Sequence, residues 1–219
     1  MTEQIQQSDL QDTVPRTPAA AWQRLREGNA RFVAGESMHP NQDASRRQQL
    51  AKHQNPFAVI FGCSDSRLAA EIIFDLGLGD AFVIRTAGQV IDDAVLGSLE
   101  YSVANLRTPL IMVLGHDSCG AVTAAHGVAS SGQMPRGFQR DLIERIMPSV
   151  LDTQRRGNHD VNAAVVEHTK QTASRLMEQS RVIADAVSKG DVAVVGVFYH
   201  LDDGQAELVH GHGTWLPSR

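Results

Sequence analysis

Four short runs of the chain are apolar throughout, and turn-forming or polar residues bound each of them. They are Phe57–Phe61, Ala81–Ile84, Leu110–Leu114 and Val192–Phe198. Because apolar and polar positions do not alternate within them, these runs are typical of strands covered on both faces of a parallel sheet. The pattern therefore predicts about four parallel strands.

Segments with apolar residues at helical spacing lie between or before these runs. They predict helices over Leu68–Leu76, Ala94–Leu106 and Val161–Val187. Alternating strands and helices favour an α/β fold in which helices flank a mainly parallel sheet. After the last run, an Asp-Gly turn at residues 203–204 predicts a hairpin that adds an antiparallel edge strand ending near Val209.

The same pattern predicts the domain organisation. Residues 1–17 are polar and predict a mobile tail, and residues 18–219 predict a single domain. Within that domain, residues 18–35 predict an N-terminal helical arm that ends at Gly35. The Gly- and Ser-rich residues 127–140 predict a loop.

Composition narrows the class of protein. The chain has 219 residues, of which 42% are hydrophobic and 21% charged, as in soluble globular domains. A net charge of −5 argues against nucleic acid or an anionic membrane as a partner. No apolar run approaches the roughly 18 residues that cross a bilayer, and the N-terminus lacks the order of an export signal. We therefore expect a cytoplasmic protein, in which two cysteines act as thiols rather than as a disulfide.

The candidate chemistry lies just past the ends of two predicted strands. Cys63 follows the first run, and His116 and Cys119 follow the third. Because the carboxyl ends of parallel strands share one edge of a sheet, these side chains converge if the two strands are neighbours. Two thiols and an imidazole are ligands that Zn²⁺ favours, and Asp65 is the nearest further ligand.

Two predicted helix starts lie beside these residues. Asp65 or Ser66 is expected to cap a helix that starts near Arg67. Cys119 is expected to open a helix over Gly120–Ala125, where the helix dipole and the free N–H groups favour a thiolate.

Spacing alone leaves other interpretations of the two cysteines open. They are a Cys63–Cys119 disulfide, two buried core cysteines beside a hydrogen-bonded histidine, a redox-sensing dithiol, and a structural zinc closed by four protein ligands. A cysteine phosphatase is excluded, because Ala69 and Ala125 stand where the arginine that grips phosphate would be needed.

The segments CSDSR (Cys63–Arg67) and GHDSCGAV (Gly115–Val122) resemble the signature of the β-class carbonic anhydrases. Flanking segments extend the resemblance from Ala19 to about Val209; they are EGNARFVAG, FVIRTAG and LGSLEYSV. The resemblance implies a zinc-dependent lyase that hydrates carbon dioxide reversibly to bicarbonate and a proton by a metal-bound hydroxide. It also implies self-association as a dimer or tetramer.

The resemblance assigns a role to each motif residue. Cys63, His116 and Cys119 become the ligands of Zn²⁺, and Asp65 and Arg67 become a catalytic pair beside the metal. Asp65 would be a fourth ligand only in a closed state, reached in some members at lower pH. The implied substrate-binding positions, some contributed across a dimer interface, are Gln54, Phe82, Ala87, Tyr101 and Gly120.

Two alternatives remain within this resemblance. One is hydrolysis of carbonyl sulfide or carbon disulfide on the same zinc site, and the other is a non-catalytic, zinc-stabilised regulatory module. One departure from the family also carries an expectation. Ile60 stands where members with an inhibitory bicarbonate pocket tend to have Trp, although Arg85 and Tyr199 match the rest of that pocket. We therefore expect such regulation to be absent or weak.

The histidines outside the motif, His168 among them, are expected to be exposed or hydrogen-bonded. His210 and His212, in the segment HGHG, are expected on a solvated tail rather than in a metal site.

Overall fold

The apolar runs of the sequence form one sheet at the centre of the fold. In the computed structural model, which describes residues 14–214, the strands are β1 (Ala58–Cys63), β2 (Ala81–Thr86), β3 (Leu110–His116), β4 (Ala193–Tyr199) and β5 (Ala206–His212). Their order is β2-β1-β3-β4-β5; the first four in the chain are parallel, and β5 pairs antiparallel with β4. The predicted fold class is therefore confirmed. Residues 1–13 of the predicted tail, and residues 215–219, lie outside the described residues.

Helices cover both faces of this sheet. Those described are α1 (Pro18–Ala34), α2 (Ala44–Gln49), α3 (Ala70–Ile73), α4 (Asp93–Ala104), α5 (Gly120–Ser131), α6 (Gln139–Arg155), α7 (Val161–Gln179) and α8 (Arg181–Ser188). A short 3₁₀ turn over Ala87–Gln89 follows β2. No helix within residues 14–214 is long and apolar enough to cross a membrane.

Alternate residues of the strands enter two different cores. On β1, Ile60 packs with Trp22 and Leu25 of α1, whereas Val59 and Phe61 pack on the opposite face of the sheet with residues of α4, α7 and α8. This alternation follows from the period of two along a strand, and burial on both faces explains why β1, β3 and β4 are almost entirely apolar.

The first helix packs on the domain of its own chain. The side chain of Thr17 caps α1 by accepting from the Ala20 N–H, and Gly35 ends the helix in the left-handed conformation. Asn29 Nδ2 donates to the carbonyl oxygens of Ile73 and Gly204, at 3.2 and 2.8 Å. The helical arm is thereby tied to the ends of α3 and of the hairpin before β5.

The helix predicted after β1 is shorter than expected, and its predicted caps are wrong. It spans only Ala70–Ile73, and its N-cap is Ala69, which has no side-chain cap. The preceding residues form a turn, in which the Leu68 N–H donates to the Asp65 carbonyl oxygen. The Asp65 carboxylate binds Arg67 instead of capping a helix.

The predicted loop over residues 127–140 is wrong for half of its length. Helix α5 continues to Ser131, and α6 begins at Gln139, so the connection is residues 132–138. The sequence analysis missed α6, whose residues Ile143, Ile146 and Val150 are buried in the core.

The long helix predicted over Val161–Val187 is interrupted at Ser180, whose backbone is extended (φ −111°, ψ 110°). Its hydroxyl accepts from the Ile183 N–H and so caps α8, and it donates to a Glu100 carboxylate oxygen at 2.6 Å.

The hairpin after β4 is present, but β5 extends to His212 rather than ending near Val209.

Candidate metal centre

Two neighbouring strands and one helix start bring two cysteine sulfurs and one histidine together. Cys63 ends β1, His116 ends the adjacent strand β3, and Cys119 is the N-cap of α5. Their ligand atoms lie within 4.8 Å of one another, and all three residues are buried. Both cysteines are free thiols rather than a disulfide.

His116 has one unprotonated ring nitrogen, and this nitrogen lies beside the sulfur atoms of Cys63 and Cys119. Its Nδ1 lies 2.8 Å from the Asp117 carbonyl oxygen, and because a carbonyl only accepts, Nδ1 carries the proton. Its Nε2 is buried and has no hydrogen-bond partner among the described residues. A buried nitrogen without a partner is unfavourable, whereas Nε2 with two thiolates is a donor set that suits Zn²⁺. These residues therefore fit a zinc ion.

The two thiol groups shift each other's pKa in opposite directions. The Cys119 thiol hydrogen-bonds to Cys63 and, with the Gly88 N–H at 3.3 Å, lowers the pKa of Cys63 to about 4. The same bond, together with burial, raises the pKa of Cys119. The backbone amides of Ala121 and Val122, at the start of α5, oppose that rise. A divalent cation would deprotonate both.

Gly88 connects Cys63 to a buried histidine that the motif does not contain. Its backbone is left-handed (φ 64°), which directs its N–H to Cys63 Sγ, and its carbonyl oxygen lies 2.8 Å from His168 Nε2. Burial lowers the pKa of His168 to about 4, so the ring is neutral and Nε2 donates. The sequence analysis missed this contact because 80 residues separate Gly88 from His168.

Arg85 holds the backbone that carries Cys63 and Asp65. Its Nε donates to the Cys63 carbonyl oxygen at 2.9 Å, and its Nη2 donates to the Asp65 carbonyl oxygen. The family resemblance associated Arg85 only with a bicarbonate pocket. In the structure its guanidinium braces the loop at the end of β1.

Asp65 and Arg67 form a two-pronged ion pair beside the three donors. Arg67 Nε and Nη2 lie 2.9 and 2.7 Å from the two Asp65 carboxylate oxygens, and the Arg67 N–H adds a third bond. The Arg67 side chain holds the pKa of Asp65 well below its usual range, so the carboxylate is ionised. Asp65 Oδ2 is also 4.0 Å from His116 Nε2. The carboxylate thus lies at the edge of the metal centre while bound to Arg67.

The five predicted substrate-binding residues fall into two groups. Ala87 and Gly120 line a cavity of about 680 Å³ next to the metal centre. The other three lie elsewhere in the same chain: Phe82 pairs with Val59 in the sheet, four residues from the Cys63 end of β1 and so roughly 13 Å away.

Tyr101 and Gln54, like Phe82, lie away from the metal centre. The Tyr101 side chain is 46% exposed, and its ring centroid lies 6.3 Å from that of Phe82. Gln54 is exposed in the segment before β1. The described chain does not bring these side chains to its own metal centre.

Comparisons with known proteins agree with this architecture. The family model described as carbonic anhydrase matches residues 58–206. A carbonic anhydrase of Mycolicibacterium smegmatis is 53% identical over 191 residues, which cover 87% of this chain and 93% of that protein. Carbonic anhydrase 2 of Mycobacterium tuberculosis is 55% identical over 196 residues, covering 89% of this chain and 95% of that protein.

Solved structures share the fold. One of two tetrameric β-carbonic anhydrases from Sordaria macrospora matches with a TM-score of 0.71 and 23% identity, covering 82% of this chain and 93% of that chain. The β-carbonic anhydrase CcaA matches with a TM-score of 0.65 and 27% identity, covering 84% of this chain and 86% of that chain.

Proposed function

The chain belongs to the β-class carbonic anhydrases, zinc enzymes that hydrate carbon dioxide reversibly to bicarbonate and a proton, and we propose that Cys63, His116 and Cys119 are its zinc ligands. The observation that carries this proposal is the buried cluster of three donor atoms within 4.8 Å, in which His116 Nε2 has no hydrogen-bond partner among the described residues. Three protein ligands are the number that catalytic zinc sites use.

A zinc ion bound there would act as a Lewis acid. It would lower the pKa of the water bound to it to about 7, a value known for a carbonic anhydrase. The role of this chain is to orient the attacking oxygen. Asp65, ionised and held by Arg67, would accept a hydrogen bond from that oxygen and so orient its remaining lone pair toward the carbon of the substrate. Gly88 and Arg85 keep the Cys63 loop in place while this happens.

The substrate enters beside Ala87 and Gly120. Carbon dioxide has no hydrogen-bond donor, so the mainly apolar lining of this cavity suits it. Gln54, Phe82 and Tyr101 then act in the site of a second copy of the chain, in a homodimer that can pair into a tetramer. The exposed Tyr101 ring against Phe82, on an edge strand of the sheet, supports this assignment.

A closed state is part of the same proposal. In it the Asp65 carboxylate would leave Arg67 and supply a fourth zinc ligand, and its 4.0 Å distance from His116 Nε2 supports this movement. Because Arg67 keeps Asp65 ionised far into acid, closure exchanges one positive partner for another rather than protonating the carboxylate. The buried free thiols also favour a reducing, cytoplasmic location.

Cobalt substitution tests the ligand set, because sulfur-to-cobalt charge-transfer absorption reports only cobalt bound to thiolate. Cys63→Ser and Cys119→Ser are each expected to lose about half of this absorption and most of the CO2 hydration activity in stopped-flow assays. His159→Gln, which changes an exposed imidazole, is the control and should keep both. Full absorption and activity in either serine variant would refute the assignment.

A further inference from the structure

Two histidines of the last strand lie against a helix, and the expectation of a solvated tail for them is wrong. His210 and His212 are two residues apart on β5, so their side chains share one face of the strand, and both are half-buried. That face is directed at α7. Beneath His210 lies Gly196 of β4, where a Cβ would come 3.2 Å from the His210 Cβ and 3.4 Å from Thr169 Cγ2. The glycine thus leaves room for the imidazole.

The three donor atoms at this place form a nearly equilateral triangle. His210 Nε2 and His212 Nε2 are 3.1 Å apart, and Ser174 Oγ of α7 lies 3.1 Å from the first and 3.3 Å from the second. A tetrahedral zinc with ligands at 2.0–2.1 Å has neighbouring donors roughly 3.3 Å apart. The triangle therefore has the size of one face of such a tetrahedron.

Hydrogen bonds do not account for all three contacts. A neutral imidazole Nε2 either donates one proton or offers one lone pair, and the Ser174 hydroxyl has a single proton. The proton or lone pair of each imidazole nitrogen points in one direction, so it cannot point at both other corners of the triangle. A hydrogen bond prefers a donor–hydrogen–acceptor angle above about 150°, which these three atoms cannot all satisfy. A cation over the triangle would bind all three donor atoms at once.

The ring geometry points the same way. The two ring centroids are 4.7 Å apart, whereas imidazoles meeting head-on at this nitrogen separation would have centroids roughly 5.4 Å apart. The ring planes also lie 83° apart, so the rings meet at an angle rather than head-on, which is compatible with two ligands of one ion.

The charge near these two histidines and their access to solvent both suit a bound cation. Glu178 follows Ser174 by one helical turn, and its negative charge acts on His212. Burial lowers the pKa of His212, which keeps its lone pair available near neutral pH. A cleft of about 420 Å³ reaches His210 and Ser174 from solvent. Its lining contains three carboxylates and two cationic side chains; these are Asp152, Glu167, Glu178, Lys170 and Arg175.

We propose that His210, His212 and Ser174 form a second metal site, separate from the cysteine site, that takes a borderline divalent cation, Zn²⁺ foremost. Imidazole nitrogens are ligands that zinc, copper and nickel prefer, whereas calcium and magnesium prefer oxygen; the Ser174 hydroxyl adds a third, neutral donor. The ion would link edge strand β5 to α7 through its ligands. It would therefore stabilise the sheet without taking part in CO2 hydration.

A zinc titration of the holoenzyme, already loaded at the cysteine site, tests this. The added zinc is measured by competition with a chromophoric chelator, and the wild type is expected to take up one further equivalent per chain. His210→Gln and His212→Gln are each expected to bind that equivalent at least ten-fold more weakly, with CO2 hydration unchanged. Cobalt added to the zinc holoenzyme is expected to give weak visible bands without sulfur-to-cobalt absorption. Exposed His159 again offers the control substitution, His159→Gln, which should leave uptake unchanged.

The proposal is overturned if the wild type takes up no further zinc, or if His212→Gln binds it as tightly as the wild type. Should His210→Gln fold poorly because His210 packs over Gly196, His212→Gln and Ser174→Ala still decide the matter. A rise of the unfolding temperature with the second equivalent, present in the wild type and lost in His212→Gln, is the expected sign that the ion joins β5 to α7.

Discussion

Replacing His168 by glutamine tests whether its imidazole is held neutral inside the fold. His168 is 1% exposed; its Nε2 donates to the Gly88 carbonyl oxygen at 2.8 Å, and its Nδ1 lies 3.2 Å from Ser149 Oγ. Burial lowers its pKa from 6.5 to about 4. Glutamine keeps a side-chain N–H for Gly88 but cannot take up a proton near neutral pH.

The pH dependence of stability follows from that shift. In the unfolded chain His168 binds a proton near its ordinary pKa of 6.5, whereas in the folded chain it does so only near pH 4. Between these values the unfolded state binds more protons, so the free energy of unfolding falls as the pH is lowered. This one group removes about 1 kcal/mol between about pH 7 and pH 5.5, and about 3 kcal/mol by about pH 4.

Urea unfolding of wild type and His168→Gln, followed by circular dichroism at equal protein and zinc concentrations, measures the difference. Other groups titrate alike in both proteins, so their contributions cancel. The free energy of unfolding of the variant should fall by about 1 kcal/mol less than that of the wild type between about pH 7 and pH 5.5. His159→Gln should behave as the wild type does, because His159 is exposed. Equal slopes for wild type and His168→Gln would refute the claim that His168 is buried and neutral.

Two further substitutions address the metal centre. Gly88→Ala places a Cβ 2.9 Å from side chains of α5 and α6 at a left-handed position, so the turn that directs an N–H to Cys63 must move. Chelator competition should show zinc affinity about ten- to a hundred-fold weaker, whereas Gly97→Ala, with open space around its Cβ, should match the wild type. Arg67→Gln removes the two-pronged bond to Asp65, and CO2 hydration should fall about ten-fold or more at unchanged cysteine-site zinc. Gly88→Ala with wild-type zinc affinity, or Arg67→Gln with wild-type activity, would contradict these roles.

The central features of this fold were predictable because they depend on local patterns. Continuous apolar runs mark strands buried on both faces, and the three sheet strands beside the metal centre followed from them. The convergence of Cys63 and His116 then required only that β1 and β3 be neighbours. Helix boundaries were less predictable: half of the loop expected over residues 127–140 is helical, and α5 continues through Gly127 because this glycine faces open space.

The amino-acid sequence was sufficient to predict which side chains cluster at the candidate metal centre, since Cys63, His116, Cys119 and the Asp65–Arg67 pair lie within two short motifs. The sequence alone could not predict contacts between segments that lie far apart in the chain. No local pattern marks His168 as the partner of Gly88, and none directs His210 and His212 at Ser174 on α7. Such contacts depend on how helices and strands pack across the sheet, so they become visible only when the chain is folded.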